Sequence, residues 1–151
     1  HMGYSMFTTA PSGSYTGNFV GEDSEIIRRL ETLGADPSIL QSISTNLEKI
    51  LSDYVGDSYN GWLGVDMLLC EDGTIIPCIE LNLRMTMGVV AWIFAQKWLV
   101  PGKCGFFSVS SNHTPVIARQ YTTVNNRLES GTLRLTPTTP TSHFTFSVTV
   151  D

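Results

Sequence analysis

An α+β fold, mostly antiparallel sheet packed with helices, is what this sequence predicts, and three observations predict it. Apolar residues recur at helical spacing in two windows, Ile26-Ile27-Leu30-Leu33 and Ile39-Leu40-Ile43-Leu47-Ile50-Leu51-Tyr54. Short runs rich in β-branched and aromatic residues, bounded by Gly, Pro, Asn and Asp, read as strands. Several of these runs are joined by short turns, as antiparallel hairpins are.

Gly3 to Phe7 and Ser14 to Val20 are expected strands, joined through Thr8-Thr9-Ala10-Pro11-Ser12-Gly13. That loop carries Gly and Ser but no Gly-Lys-Ser/Thr, so it reads as a plain turn rather than a phosphate cradle. A short helix follows from Asp23 or Ser24 to Leu33, stopped by Gly34. Asp36-Pro37 restarts the chain as N-cap and first helical residue of a helix to about Tyr54. Its apolar stripe is expected to pack on the central sheet. Thr86 caps a third helix, Met87 to about Leu99, apolar nearly all round from Val89 to Ala95. Such a helix is expected to be buried, with Trp92 and Trp98 in the core. The last third reads as strands at Phe106–Val109, Val116–Thr123, Leu133–Leu135 and Phe144–Val150, forming an extension of the same sheet system. His113 and His143 are lone histidines there, read as surface or packing residues.

The chemistry concentrates between Gly61 and Gly88. Asp66, Glu80, Asn82 and Arg84 are polar residues in otherwise apolar strands, on either side of a turn at Glu71-Asp72-Gly73. Burying a carboxylate costs several kcal/mol unless a cation or hydrogen bonds compensate. Two carboxylates on one face call for a shared cation, and a hard ion such as Mg²⁺ suits oxygen donors. Whether they share a face depends on the turn. A two-residue loop at Asp72-Gly73 puts Asp66 opposite Ile79 and Glu80 on the other face. A three-residue loop with Gly73 at positive φ pairs Cys70 with Thr74 and Asp66 with Cys78. Then Asp66, Leu68, Glu80, Asn82 and Arg84 line one face. Pro77, which lacks an N–H, marks a place where a bulge can shift the count.

The run Cys78-Ile79-Glu80-Leu81-Asn82-Leu83-Arg84, with Gly64-Val65-Asp66-Met67-Leu68-Leu69 and the acidic-Gly turn before it, resembles the C-terminal half of the ATP-grasp fold over roughly residues 3–100. The resemblance implies Asp66, Glu80 and Asn82 as ligands of Mg²⁺ (or Mn²⁺) on ATP. It implies a phosphate or acyl-phosphate contact for Arg84, as catalytic and nucleotide-binding residue, and an apolar pocket wall for Leu68. The implied activity is that of an ATP-dependent ligase: activation of a small carboxylate substrate as an acyl phosphate, then attack by an amine, thiol or similar nucleophile. Residues 101–151 would be a β-rich extension of the same domain. The N-terminal ATP-grasp half, which supplies lysines and an adenine-binding hinge, has no counterpart here. Lys49, Lys97 and Lys103 stand on a helix face, late in a helix and in a loop. The chain by itself is therefore expected to be inactive.

Other classes stay open beside this one: a plain amphipathic hairpin with a solvated polar face, a non-catalytic binding or scaffold module that kept the fold, or a metal-dependent hydrolase built on Asp66 and Glu80. No base or nucleophile is apparent for the last.

The totals narrow the field. At 151 residues and 42% hydrophobic content the chain is one ordinary globular domain's worth. A net charge of −5 with nine Lys plus Arg argues against a nucleic-acid partner. Val89–Ala95, the longest apolar run, is too short for a bilayer, which takes about 20 residues, so no membrane partner is expected. The three cysteines fit a reducing, cytoplasmic setting and structural roles, with no Cys-x-x-Cys pair for zinc. His1-Met2 reads as a cloning remnant ahead of a segment taken from a longer protein.

Overall fold

The computed structural model describes residues 1–111, 120–137, 139 and 141–151. Its elements run β1 (Phe7–Thr9), β2 (Tyr15–Val20), α1 (Asp23–Thr32), α2 (Pro37–Val55), β3 (Gly64–Leu69), β4 (Ile75–Asn82), α3 (Met87–Trp98), β5 (Gly105–Ser111), β6 (Gln120–Val124), β7 (Arg127–Arg134) and β8 (Phe144–Val150). The α+β class is thus observed, with antiparallel pairing between neighbouring strands throughout. His113 and the first residues of the expected strand at Val116 lie outside the described residues; His143 is exposed. No helix among the described residues is long and apolar enough to cross a membrane.

The chain divides into two units, one of residues 1–4 and 23–89 and the other of residues 5–22 and 90–151. The second is built on a six-stranded sheet in the order β1-β2-β5-β8-β7-β6. Here the tail strands join β1 and β2 rather than the β3–β4 hairpin, which forms a separate two-stranded sheet. The tail thus extends the sheet begun by β1 and β2, and the β3–β4 hairpin stands outside it. Phe107, Val20 and Val148 are fully buried in this unit, and Phe107 pairs with Asn18 on one side and Val148 on the other. The Phe107 ring meets Phe94 of α3 edge-on at 5.3 Å and Phe146 at 4.9 Å between centroids. Such aromatic contacts add to the area buried. Asn125 and Asn126, at φ 51° and 61°, make the tight turn from β6 to β7, where asparagine tolerates the left-handed region.

The first unit holds α1, α2 and the hairpin. α1 ends where the sequence says, because Gly34 takes φ 99° and the Gly34 and Ala35 amides bond back to the Glu31 and Leu30 carbonyls. Asp36 caps α2, accepting from the Ser38 amide at 2.7 Å and hydroxyl at 2.6 Å, and its carboxyl is held below the usual range by those bonds. Burial in this unit is slight: Ile26, Ala35 and Leu40 are its buried apolar residues. The α2 stripe does not sink into a sheet as expected, since Ile39, Ile50 and Tyr54 are exposed and only Leu40 and Ser44 are buried. A two-stranded sheet offers too little surface to cover a nineteen-residue helix. Trp98 likewise is 54% exposed rather than core, because only Ala91, Phe94 and Ala95 of α3 are buried.

Two substitutions should separate these environments when urea denaturation is followed at resonances of each unit. Phe107→Ala removes the most enclosed ring and is expected to cost about 3–5 kcal/mol. Asp36→Ala removes the α2 cap and is expected to lower the urea midpoint of the first unit by less than Phe107→Ala lowers that of the second.

Candidate metal and phosphate site

The hairpin turn is the three-residue form. Gly73 takes φ 83°, the Cys70 amide donates to the Thr74 carbonyl at 2.8 Å, and the Gly73 amide donates to the Cys70 carbonyl at 3.0 Å. Asp72 Oδ1 accepts from the Thr74 amide at 2.9 Å, fixing the corner from a side chain. From this turn Leu69 pairs with Ile75 and Leu68 with Ile76.

Beyond Leu68 the register shifts, and the expected partner of Asp66 is corrected. Asp66 faces Glu80, not Cys78; Val65 faces Leu81, and Gly64 faces Asn82. Between the two registers Met67 alone spans the stretch Pro77-Cys78-Ile79, so β4 carries two residues more than β3. Pro77 has no N–H to give to the ladder, which is the physical reason for irregular pairing there. A two-residue insertion keeps the alternation of faces, whereas a one-residue insertion reverses it. Asp66 and Glu80 therefore stand directly opposite each other, with Asn82 further along the same face.

Asn82 is buried, and its Nδ2 donates to Asp66 Oδ2 in a long hydrogen bond of 3.4 Å. Burial, first, and the neighbouring Glu80 charge, second, push the Asp66 carboxyl above the ordinary range. The Arg84 charge and the Asn82 bond pull it down, by less. The other three polar residues singled out in the sequence, Glu80, Asn82 and Arg84, thus all act on the Asp66 carboxyl. Arg84 is exposed, and its Nη1 makes a marginal contact to the Met85 carbonyl at 3.5 Å. Leu68 is exposed at 47%, two residues along the strand from Asp66 and paired with the equally open Ile76. α3 begins at Met87, five positions after Asn82, with Thr86 Oγ1 accepting from the Val89 amide at 3.4 Å as its cap.

Among the described residues no three His, Cys, Asp or Glu side chains gather as a metal-holding group. The donors here are two carboxylates and one amide, all oxygen ligands of the kind that Mg²⁺ and Mn²⁺ take. Like charges directly across an antiparallel pair repel, and neither carboxylate forms an ion pair among the described residues. A divalent cation fits that chemistry. The cysteines are free, Cys78 exposed in the irregular stretch of β4 and Cys70 at the turn.

No family model, no curated protein and no solved structure matches this chain. The residue the sequence reading passed over is Gly64, opposite Asn82; its signal was a glycine two positions before the strand carboxylate.

The raised Asp66 pKa gives a signed pH dependence. A folded-state pKa above the unfolded one means the native state binds the proton more tightly, so the metal-free chain should gain stability as pH falls from neutral through the folded pKa of Asp66. That gain should be complete at its unfolded value. In Glu80→Gln the gain should shrink, because one cause of the shift is gone, and carbon-detected titration of the Asp66 carboxyl should read a lower pKa. An unchanged Asp66 titration would show that the Glu80 charge does not reach it.

Proposed function

We propose that this chain is the C-terminal portion of an ATP-grasp enzyme that uses MgATP to activate a small carboxylate as an acyl phosphate for ligation to a nucleophile. The observation that carries this reading is the Asp66–Glu80 pair, directly opposed in β3 and β4 with Asn82 hydrogen-bonded beside it. In this reading the three side chains hold the metal, and Arg84 meets the transferred phosphoryl group. Bound there, the metal neutralises phosphate charge during transfer. Arg84 adds a fixed positive charge where negative charge develops, and its exposure leaves the guanidinium available to a ligand. Asn82, sequestered and bonded to Asp66, keeps that carboxylate in place. Leu68 offers apolar surface at the edge of the polar cluster, suited to one side of a nucleotide pocket.

Support also comes from what the first unit leaves open. Leu68, Ile76, Ile79, Leu81 and Leu83 of the hairpin region are all exposed, as are Ile39 and Ile50 of α2. That much open apolar surface fits a unit whose cover lies in another part of a longer protein, here the N-terminal ATP-grasp half. The lysines and hinge of such a half are also what the chain lacks for gripping phosphate and adenine.

The reading makes opposite demands on the part and the whole. Calorimetric titration of MgATP into this chain should show no micromolar binding, because a nucleotide held by half a cleft buries too little surface to offset its immobilisation. Micromolar affinity would mean the site is complete within these residues. In the longer protein, Glu80→Gln should fold normally and lose ATP turnover, since shape is kept and the charge on the metal is not. Undiminished turnover there would make Glu80 structural.

A further inference from the structure

Gly64 is not among the glycines at positive φ, so its backbone conformation is open to any residue. Space is what it lacks. A Cβ built on Gly64 would lie 2.7 Å from Thr86 Cγ2 and 3.3 Å from Thr86 Oγ1. Thr86 has no easy way to give ground. It is β-branched and stiff at χ1, and its Oγ1 is committed to the Val89 amide as the cap of α3. Gly64 also pairs with Asn82 across the strands, two residues from the Asp66–Glu80 pair. The chain therefore leaves β4 at Asn82, passes through Leu83, Arg84 and Met85, and returns at Thr86 onto the partner residue of Asn82. Arg84 is at the middle of that short return.

We propose that Gly64 is a positioning residue of this site: lacking a Cβ, it lets Thr86 seat against the Gly64–Asn82 pair, and this closes the return that carries Arg84 from the Asn82 end of the Asp66–Glu80 face to the start of α3. The inference rests on the functional reading above for its importance, but its geometry is independent of any ligand. An alanine at 64 drives Thr86 outward, carrying the α3 cap and opening the Asn82–Thr86 return. Arg84, carried on that return, then shifts relative to Asn82 while the β3–β4 pairing itself stays intact. The closest approach, 2.7 Å, is to the Thr86 methyl group, so Thr86→Ser removes that conflict and keeps the capping hydroxyl.

The experiment is a cycle of Gly64→Ala, Thr86→Ser and the double variant in the whole chain, read by NMR at the Arg84 guanidinium and Asn82 side-chain amide, without metal and with Mn²⁺ as the added probe. Gly64→Ala is expected to shift both side-chain signals and to lose Mn²⁺ broadening at Arg84 relative to Asn82. Thr86→Ser alone should leave them in place, and the double variant should restore the wild-type pattern, which a general loss of stability would not do. Unmoved Arg84 and Asn82 signals in Gly64→Ala, or no recovery in the double variant, would overturn the positioning role. If Gly64→Ala does not fold, the double variant decides: a folded protein with wild-type Arg84 signals supports the steric route, and a second unfolded variant overturns it. Absence of Mn²⁺ broadening at Asp66, Glu80 and Asn82 in the wild type tells against the metal site instead, while the metal-free shifts still test Gly64.

Discussion

Two carboxylates of like charge, directly opposed across an antiparallel pair, are the constraint around which this hairpin is arranged. Asp66 and Glu80 face each other, and burial, together with the Glu80 charge, raises the Asp66 carboxyl. The register that brings them together is made in two steps, a three-residue turn at Gly73 and then a two-residue excess in β4 at Pro77-Cys78-Ile79. Either step altered by one residue would send Glu80 to the opposite face. An ordinary structural hairpin has no need for such a pairing, which is why it carries more weight than the residue types alone.

The two units make a contrast in how burial is spent. The six-stranded sheet encloses Val20, Phe107 and Val148 completely, with aromatic contacts from Phe94 and Phe146. The hairpin unit leaves Ile79, Leu81 and Leu83 exposed and buries three apolar residues, Ile26, Ala35 and Leu40. Isolated two-stranded sheets are marginal in water. Local devices therefore matter more in this unit: the Asp36 cap, the Gly34 helix stop and the Asp72–Thr74 corner each satisfy backbone groups without needing a core. Gly73 and Gly34 also approach closely, a Cβ on Gly73 reaching within 2.9 Å of the Gly34 carbonyl oxygen, so the hairpin tip and the α1–α2 corner meet through bare backbone.

Much of this was legible from residues acting over a few positions. Asp36-Pro37 named the start of α2, Gly34 the end of α1, Glu71-Asp72-Gly73 the place of a turn, and Phe144–Val150 a whole strand, because caps, turn residues and alternation are set by near neighbours. The candidate residues Asp66, Glu80, Asn82 and Arg84 were legible as polar groups in apolar strands. What escaped was non-local. Trp98 and the α2 stripe, Ile39, Ile50 and Tyr54, looked like core, yet whether an apolar face is buried depends on what other elements come to cover it. Gly64 was visible only as a glycine two positions before Asp66; its close approach to Thr86, 22 positions later, was not.

By itself the sequence determined the helices and their ends, most of the strands, the place of a turn at Glu71-Asp72-Gly73 and the parity condition under which Asp66 and Glu80 can share a face, whereas β1 forms at Phe7–Thr9, where Thr8-Thr9 read as part of a turn. These follow from backbone sterics and side-chain alternation, which act within one element or one hairpin. Tertiary structure alone decided that Glu80 rather than Cys78 faces Asp66, that the tail strands pair with β2 and not with the hairpin, and that Thr86 returns onto Gly64. Each of those is a choice among pairings of similar local cost, and only the packing of distant residues separates them.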